Sequence, residues 1–223
     1  GVHFAMDFLT LQNRKNAGEL IDPHQDISAK DKKVVVIGGG DTGSDCVGTS
    51  RRQGAKKITQ IELLPKPPET REERNPWPTW PVILRTSSSH QEGCERDWSI
   101  VTKEFIGSEG RVEAIKASRL EWITSEYGRP PVCKEIPGSE FTQKADLVLL
   151  AMGFVHVEHG PLVEDFNLKR NQRGDIVTES TLMTSVPGVF AAGDAATGAS
   201  LVVRAIHQGR MASESVNEYL SGI

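Results

Sequence analysis

The sequence predicts an α/β fold built around a parallel sheet, and three observations carry that prediction. In Lys33-Val34-Val35-Val36-Ile37 every residue after the lysine is apolar and β-branched, the texture of a strand buried on both faces. A glycine-rich turn, Gly38 to Gly43, follows it directly and opens onto a helical stretch. A second strand-like run, Lys57 to Leu64, comes next, and the order strand, turn, helix, strand reads as a βαβ unit.

The elements follow in chain order. Phe4, Phe8 and Leu11 fall on one helical face, and a polar stretch with Pro23 leads to Lys32-Lys33, so residues 1–29 are expected to form a connecting helix and linker. Ser44 to Gln53 reads as the helix after the glycine turn, with Arg51 and Arg52 near its negative end and Gly54 as its stop. Prolines at 65, 67, 68, 76, 78 and 81 exclude regular helix or central strand there. Residues 103–123 alternate around Gly107 and Gly110 like a hairpin or meander. Asp146 to Gly153 is a further buried strand ending in glycine, which closes a second region, residues 30–153. Residues 154–223 carry a turn at Asn171 to Gly174, a strand-like Gly188 to Ala192 ending in Gly193-Asp194, and a helix over Leu201 to Leu220.

Composition narrows the function. The 223 residues carry 26 basic against 30 acidic side chains, a net charge of −4, so no basic excess is available to neutralise a nucleic acid. The longest apolar stretch, Leu147 to Val155, falls well short of the roughly 20 residues that cross a bilayer, and Gly1-Val2-His3-Phe4 does not open a signal peptide. Cys46, Cys94 and Cys133 form no Cys-x-x-Cys pair, which argues against a redox dithiol, a zinc knuckle or an iron–sulfur cradle. An odd count of three argues against a disulfide framework, and a cytoplasmic location without membrane or nucleic-acid partners is expected.

The glycine turn has the spacing that holds a dinucleotide. Gly38 permits the tight turn off the strand, Gly40 lets backbone approach a pyrophosphate, and Gly43 lets the helix pack close to the sheet. The helix N-terminus then offers N–H groups and a positive dipole end; Asp41 is expected to cap it and Thr42 to add a hydroxyl donor. Glu62, 24 residues after Gly38 and near the second strand's end, suits the adenosine ribose of NADH. Lys66, Arg71 and Arg74 just downstream offer the rival chemistry, a site for the 2′-phosphate of NADPH. The competing explanation is a turn that only packs a helix onto a strand. The expected architecture is thus a Rossmann-like three-layer NAD(P)H-binding domain over residues 30–153.

Trp77 and Trp80 are expected to pack on the domain surface, or on the part of the protein that lies outside this chain, rather than act as a lid. His90, His156 and His159 show no metal-ligand pattern and read as surface or loop residues.

Gly188-Val189-Phe190-Ala191-Ala192-Gly193-Asp194 resembles the C-terminal flavin-binding motif of two-dinucleotide-fold, disulfide-reductase-like flavoproteins. Leu147 to Gly153 resembles the strand and turn that leave the nicotinamide domain in that superfamily, with Met152 in place of the usual Thr. More narrowly, four stretches resemble the small (beta) subunit of glutamate synthase: Phe4 to Leu9, Gly38 to Cys46, Glu62 to Pro68 with Asn75-Pro76-Trp77-Pro78, and Ala145 to Phe154. Val202 to Arg210 matches the family's closing helix as well.

The resemblance implies hydride transfer from NADH or NADPH to FAD, and electrons sent through iron–sulfur clusters to the glutamate synthase large subunit, where glutamine and 2-oxoglutarate become two glutamates. It implies that Met152 and Gly153 line the nicotinamide side and that Gly193, Asp194 and Ala195 face the flavin. It also implies that the iron–sulfur and first flavin-binding segments of the family lie N-terminal to this chain. Residues 154–223 are then the C-terminal portion of an FAD-binding domain, FAD is held in the intact protein, and this piece alone is expected to be inactive. No catalytic residue and no metal ligand is expected. NADPH-selective members carry arginines where this chain has Glu62-Leu63-Leu64-Pro65, which leans toward NADH and leaves NADPH open. Two alternatives stand beside this reading: another NAD(P)H:flavin oxidoreductase subunit, or a catalytically silent nucleotide-binding or docking module.

Overall fold

The structure is a computed structural model that describes residues 1–73, 75–123 and 131–222. The chain divides into two compact units, Gly1–Met152 and Gly153–Ile223.

The first unit is organised by a five-stranded parallel sheet. Its strands are β1 (Val2–Phe4), β2 (Lys33–Ile37), β3 (Lys57–Ile61), β4 (Glu95–Asp97) and β9 (Leu147–Leu150), in the order β1-β9-β2-β3-β4. The buried run in β2 sits at the centre, where both faces are covered. Val34 and Val36 point to one side, into a core with Phe8, Val47, Leu147 and Leu149. Val35 points to the other, into a core with Ile61, Ile100, Ile115 and Val148. The three valines are at most 1% exposed, and burial of each is worth about 1.5–3 kcal/mol.

The first core lies under helices α1 (Ala5–Asn16) and α2 (Asp41–Arg52). The second lies under an antiparallel layer made of β5 (Ile100–Ser108), β6 (Arg111–Ile123), β7 (Val132–Glu135) and β8 (Phe141–Lys144), in which β6 pairs with each of the other three. Helices, parallel sheet and antiparallel sheet make the three expected layers, with the meander around Gly107 and Gly110 as the third. A short helix, α3 (Ser88–Gln91), precedes β4.

Residues 1–29 hold the helix that the periodicity places there, and Phe8 is fully buried beneath it. In addition, Val2–Phe4 pairs in parallel with Val148–Leu150 as an edge strand, so the segment is built into the sheet.

The second unit contains α4 (Pro161–Asp165), α5 (Asp194–Thr197) and α6 (Val202–Ser221) around a small core of Val163, Leu168 and Ile176. The strand-like Gly188 to Ala192 makes one isolated bridge, Met183 with Phe190, rather than a strand. The reason is local: Gly188 has φ 78°, and Val189 N–H turns back to the Val186 carbonyl. Among the described residues no helix is long and apolar enough to cross a membrane.

Candidate functional site

The glycine turn stands where β2 hands over to α2, at the carboxyl ends of the parallel strands, the edge at which open α/β sheets bind ligands. Its glycines are not equivalent. Gly38 has φ 124°, and a Cβ there would lie 2.1 Å from the Ala151 carbonyl oxygen on the neighbouring strand end. A Cβ on Gly43 would lie 2.3 Å from the Gly38 oxygen. Both are demanded by the fold. A Cβ on Gly39 would fall on the Glu62 carboxyl group, 1.7 Å from Cδ. Gly40 differs from all three: its backbone is extended, φ −76° and ψ −174°, and a Cβ would meet nothing within 4 Å. Nothing in the protein's own packing asks for glycine at 40.

The turn also leaves donors unspent. Among the described residues, the backbone N–H groups of Gly39, Gly40, Asp41, Thr42 and Gly43 have no acceptor; the ladder begins with Ser44 N–H to the Gly40 carbonyl. They converge at the positive end of a twelve-residue helix. Gly40 is the N-cap residue, and no side chain caps the helix, so Asp41 stands one position inside it and is not the cap. The extended backbone at Gly40 starts the helix one residue earlier than a capping Asp41 requires. The Thr42 side chain lines a groove of about 530 Å³ between α1 and α2.

Glu62 follows the last residue of β3. Its Oε1 accepts from Trp98 Nε1 at 3.1 Å and faces the Arg96 guanidinium at 3.7 Å. Burial pushes its carboxyl upward, while Arg96 and Trp98 pull it back down. Arg96 stacks over Trp98 from one direction and Lys66 Nζ lies 5.6 Å from the same ring. Glu62, Arg96, Trp98 and Lys66 therefore form one mixed-charge cluster beside the turn. Arg71 is spent elsewhere: it donates to the Asn75 and Thr79 carbonyls and closes the proline-rich loop. Arg74 lies outside the described residues. Trp77 and Trp80 are exposed, so neither packs on the surface of this domain; Trp80 carries the Arg85 guanidinium over its ring.

Arg96, Trp98, Gln60 and His90 join the site without having been singled out for it. Gln60 is fully buried in β3, donates from Nε2 to the Gly38 carbonyl at 2.8 Å, and meets His90 Nε2 through Oε1 at 2.8 Å. His90 is thus a half-buried structural partner rather than a free surface residue. A polar side chain amid the buried run of β3 was the available signal. His156 and His159 stack with centroids 4.1 Å apart, and no metal-holding cluster occurs among the described residues. Met152 is exposed, and Gly153 adopts φ 86° in open space.

In the second unit, Gly193 has φ 65°, and its N–H donates to Gln208 Oε1 at 2.6 Å. A Cβ there would lie 3.2 Å from Ala205 Cβ. Asp194 Oδ1 accepts from Ser200 N–H at 3.2 Å, and the Ala195 carbonyl accepts from Ile176 N–H at 3.0 Å. This turn is held by its own surroundings. The following helix α6 has no buried residue and exposes Val202, Val203 and Ile206.

Comparison with known proteins decides the lineage. The sequence pattern of the family described as pyridine nucleotide-disulphide oxidoreductase matches residues 6–209. The chain belongs to that family. Among its relatives, the glutamate synthase [NADPH] small chain of Mycobacterium tuberculosis is 46% identical over 225 residues, covering 100% of this chain and 45% of the relative. That of Bacillus subtilis is 37% identical, covering 100% of this chain and 46% of the relative. Glutamate synthase [NADH] of Schizosaccharomyces pombe is 44% identical over 100% of this chain and 11% of its own length. The chain spans less than half the length of these relatives. Among solved structures, T. acidophilum thioredoxin reductase aligns with TM-score 0.55 and 25% identity over 86% of this chain and 53% of that one. Mycobacterium tuberculosis FprA in complex with NADPH aligns with TM-score 0.68 and 15% identity over 98% of this chain and 58% of that one, a likeness of fold alone.

Proposed function

We propose that this chain is the nicotinamide-dinucleotide-binding part of a glutamate synthase small subunit, and that it presents NADPH or NADH to FAD. Electrons then pass to a large subunit that forms glutamate from glutamine and 2-oxoglutarate. The observation that carries the binding assignment is Gly40: an extended position that any residue could adopt holds glycine, faces open space, and sits among five N–H groups without acceptors. A pyrophosphate accounts for all three facts; helix packing accounts for none of them. The relatives named as glutamate synthase small chains support the wider activity.

In this reading the N–H groups from Gly39 to Gly43 hold the pyrophosphate, and Glu62 accepts hydrogen bonds from the adenosine ribose. Lys66 and Arg96 supply positive charge for a 2′-phosphate. Met152 and Gly153 flank the nicotinamide. Gly193, Asp194 and Ala195 lie on the flavin side, and the apolar face of α6 serves the same unit. The bound dinucleotide and flavin supply the hydride chemistry themselves, so the chain needs no acid, base or nucleophile of its own. Its residues bind and orient.

Calorimetric titration with NADH and NADPH tests this. We expect saturable binding, reduced at least about tenfold in Gly40→Val while the melting temperature is unchanged. Binding that ignores Gly40→Val, or no binding of either dinucleotide, overturns the assignment. Tighter NADH binding assigns the ribose contact to Glu62; tighter NADPH binding assigns the phosphate contact to Lys66 and Arg96.

A further inference from the structure

A chain of hydrogen bonds runs from α3 to the glycine turn, and its direction is fixed at both ends. At one end the Ser87 backbone N–H, which only donates, faces His90 Nδ1 at 3.1 Å. At the other end the Gly38 carbonyl, which only accepts, faces Gln60 Nε2 at 2.8 Å. Between them Gln60 Oε1 and His90 Nε2 are 2.8 Å apart. Because Gly38 requires the amide nitrogen of Gln60, the Gln60 oxygen must face the imidazole. His90 Nε2 must then carry the proton, and Nδ1 must carry a lone pair for Ser87. One protonation state satisfies every link: neutral His90 in the Nε2–H tautomer.

The far end of this relay aims a donor. A trans peptide holds its C=O and N–H in opposite directions. Fixing the Gly38 carbonyl inward on Gln60 therefore turns Gly39 N–H outward, and that N–H is one of the five without an acceptor. We propose that Gln60 and His90 are positioning residues that lock the Gly38–Gly39 peptide for dinucleotide binding. This rests on the dinucleotide reading above and adds to it the side chains that aim one of the turn's donors.

A proton on Nδ1 would displace Ser87 N–H and could be taken by the Ser87 hydroxyl, 3.0 Å away, while Nε2–H stays on Gln60. The same hydroxyl accepts the His90 backbone N–H and touches Ser44 Oγ in the first turn of α2. Burial first, and the Arg96 charge second, hold His90 below the ordinary histidine value of 6.5. His90 is therefore neutral at neutral pH, the state in which every link of the relay is made.

Two measurements test this independently. Long-range nitrogen–proton spectra of the ligand-free protein read the imidazole directly. We expect the Nε2–H tautomer at neutral pH; the Nδ1–H tautomer, or exchange between the two, overturns the lock whatever the dinucleotide does. Titration with NAD+, which lacks the ionising 2′-phosphate, reads the consequence. At neutral pH, Gln60→Met, which keeps the length and removes the donor, should bind about tenfold more weakly. His90→Leu, which cannot donate to Gln60 Oε1, should weaken binding in the same direction, and His90→Gln, whose amide can donate where Nε2–H did, should restore it. Unchanged affinity in Gln60→Met, or equal losses in His90→Leu and His90→Gln, overturns the proposal. If the wild type binds no dinucleotide at all, the functional reading fails, and the tautomer spectrum alone judges the relay.

Discussion

Two turns in this chain look alike in sequence and differ in what they ask of their glycines. Each stands where an apolar run ends in Gly and a short segment leads into a helix. At Gly193 the surroundings explain the residue: φ is 65°, Ala205 crowds the Cβ position, and Gln208 takes the N–H. At Gly40 the backbone is ordinary, the space is open, and the neighbouring donors are free. A glycine that the fold does not need points to something the fold does not contain. The first turn therefore carries a ligand argument by itself. The second carries one only through the resemblance of its motif to flavin-binding chains.

The sharpest way to break this comparison is to substitute the glycines that the fold does need. Gly38→Ala places a Cβ 2.1 Å from a backbone oxygen at φ 124°, with no flexible neighbour to yield. We expect a loss of at least about 3 kcal/mol of stability in the first unit. Trp77, Trp80, Trp98 and Trp122 all belong to that unit, so tryptophan fluorescence during urea unfolding reads it directly. Gly193→Ala meets a side-chain carbon at 3.2 Å and pays mainly for its positive φ, so calorimetry should show a smaller loss, about 1–2 kcal/mol. Equal effects at the two sites would remove the distinction between a turn pressed against backbone and one resting on a side chain.

The same contrast explains what the sequence made legible. The parallel sheet was readable because β2 and β9 are continuous apolar runs, a texture that comes from burial on both faces. Strands β1 and β4 were not, because each has three residues, too few to show a period, and Glu95-Arg96-Asp97 is wholly charged. At the site, the glycine spacing is local and so was visible. The contacts that organise the turn are not local: Gln60 reaches Gly38 across 22 positions, His90 reaches Gln60 across 30, and Trp98 reaches Glu62 across 36. Arg71 shows the converse. A basic residue beside a presumed phosphate site is a reasonable candidate by position, yet its guanidinium is consumed by two carbonyls of its own loop.

Glu62 separates binding from folding at the first turn. Its carboxylate is partly desolvated, and burial raises it against the pull of Arg96 and Trp98. A raised carboxylate costs the folded state at neutral pH, and the cost is relieved as pH falls through the folded value. Glu62→Gln should thus leave stability within about 0.5 kcal/mol of the wild type. NADH affinity should nevertheless fall roughly five- to tenfold through the lost charged hydrogen bonds to ribose. Titration and urea unfolding on the same samples check both; a large stability loss with unchanged affinity would make Glu62 a structural partner of Trp98.

The smallest effect belongs to the clamp beside that cluster. Asp97, at the end of β4, receives both Arg119 Nη groups at 2.7 Å each and so ties the parallel sheet to β6. The Arg119 hydrogen bonds hold the Asp97 carboxyl below its ordinary 3.8. A lowered carboxylate contributes stability above its unfolded value and loses it as pH falls through the folded one. Both side chains are more than 40% exposed, so water and salt screen the pair and its worth is under about 1 kcal/mol. Asp97→Asn should therefore lower the urea midpoint slightly at neutral pH in low salt. The difference from wild type should shrink in high salt and close as pH falls through the lowered folded value of Asp97. A difference that persists in acid would mean that the aspartate holds β4 by its shape and backbone contacts, and that the charge beside Glu62 is incidental to the strand that positions it.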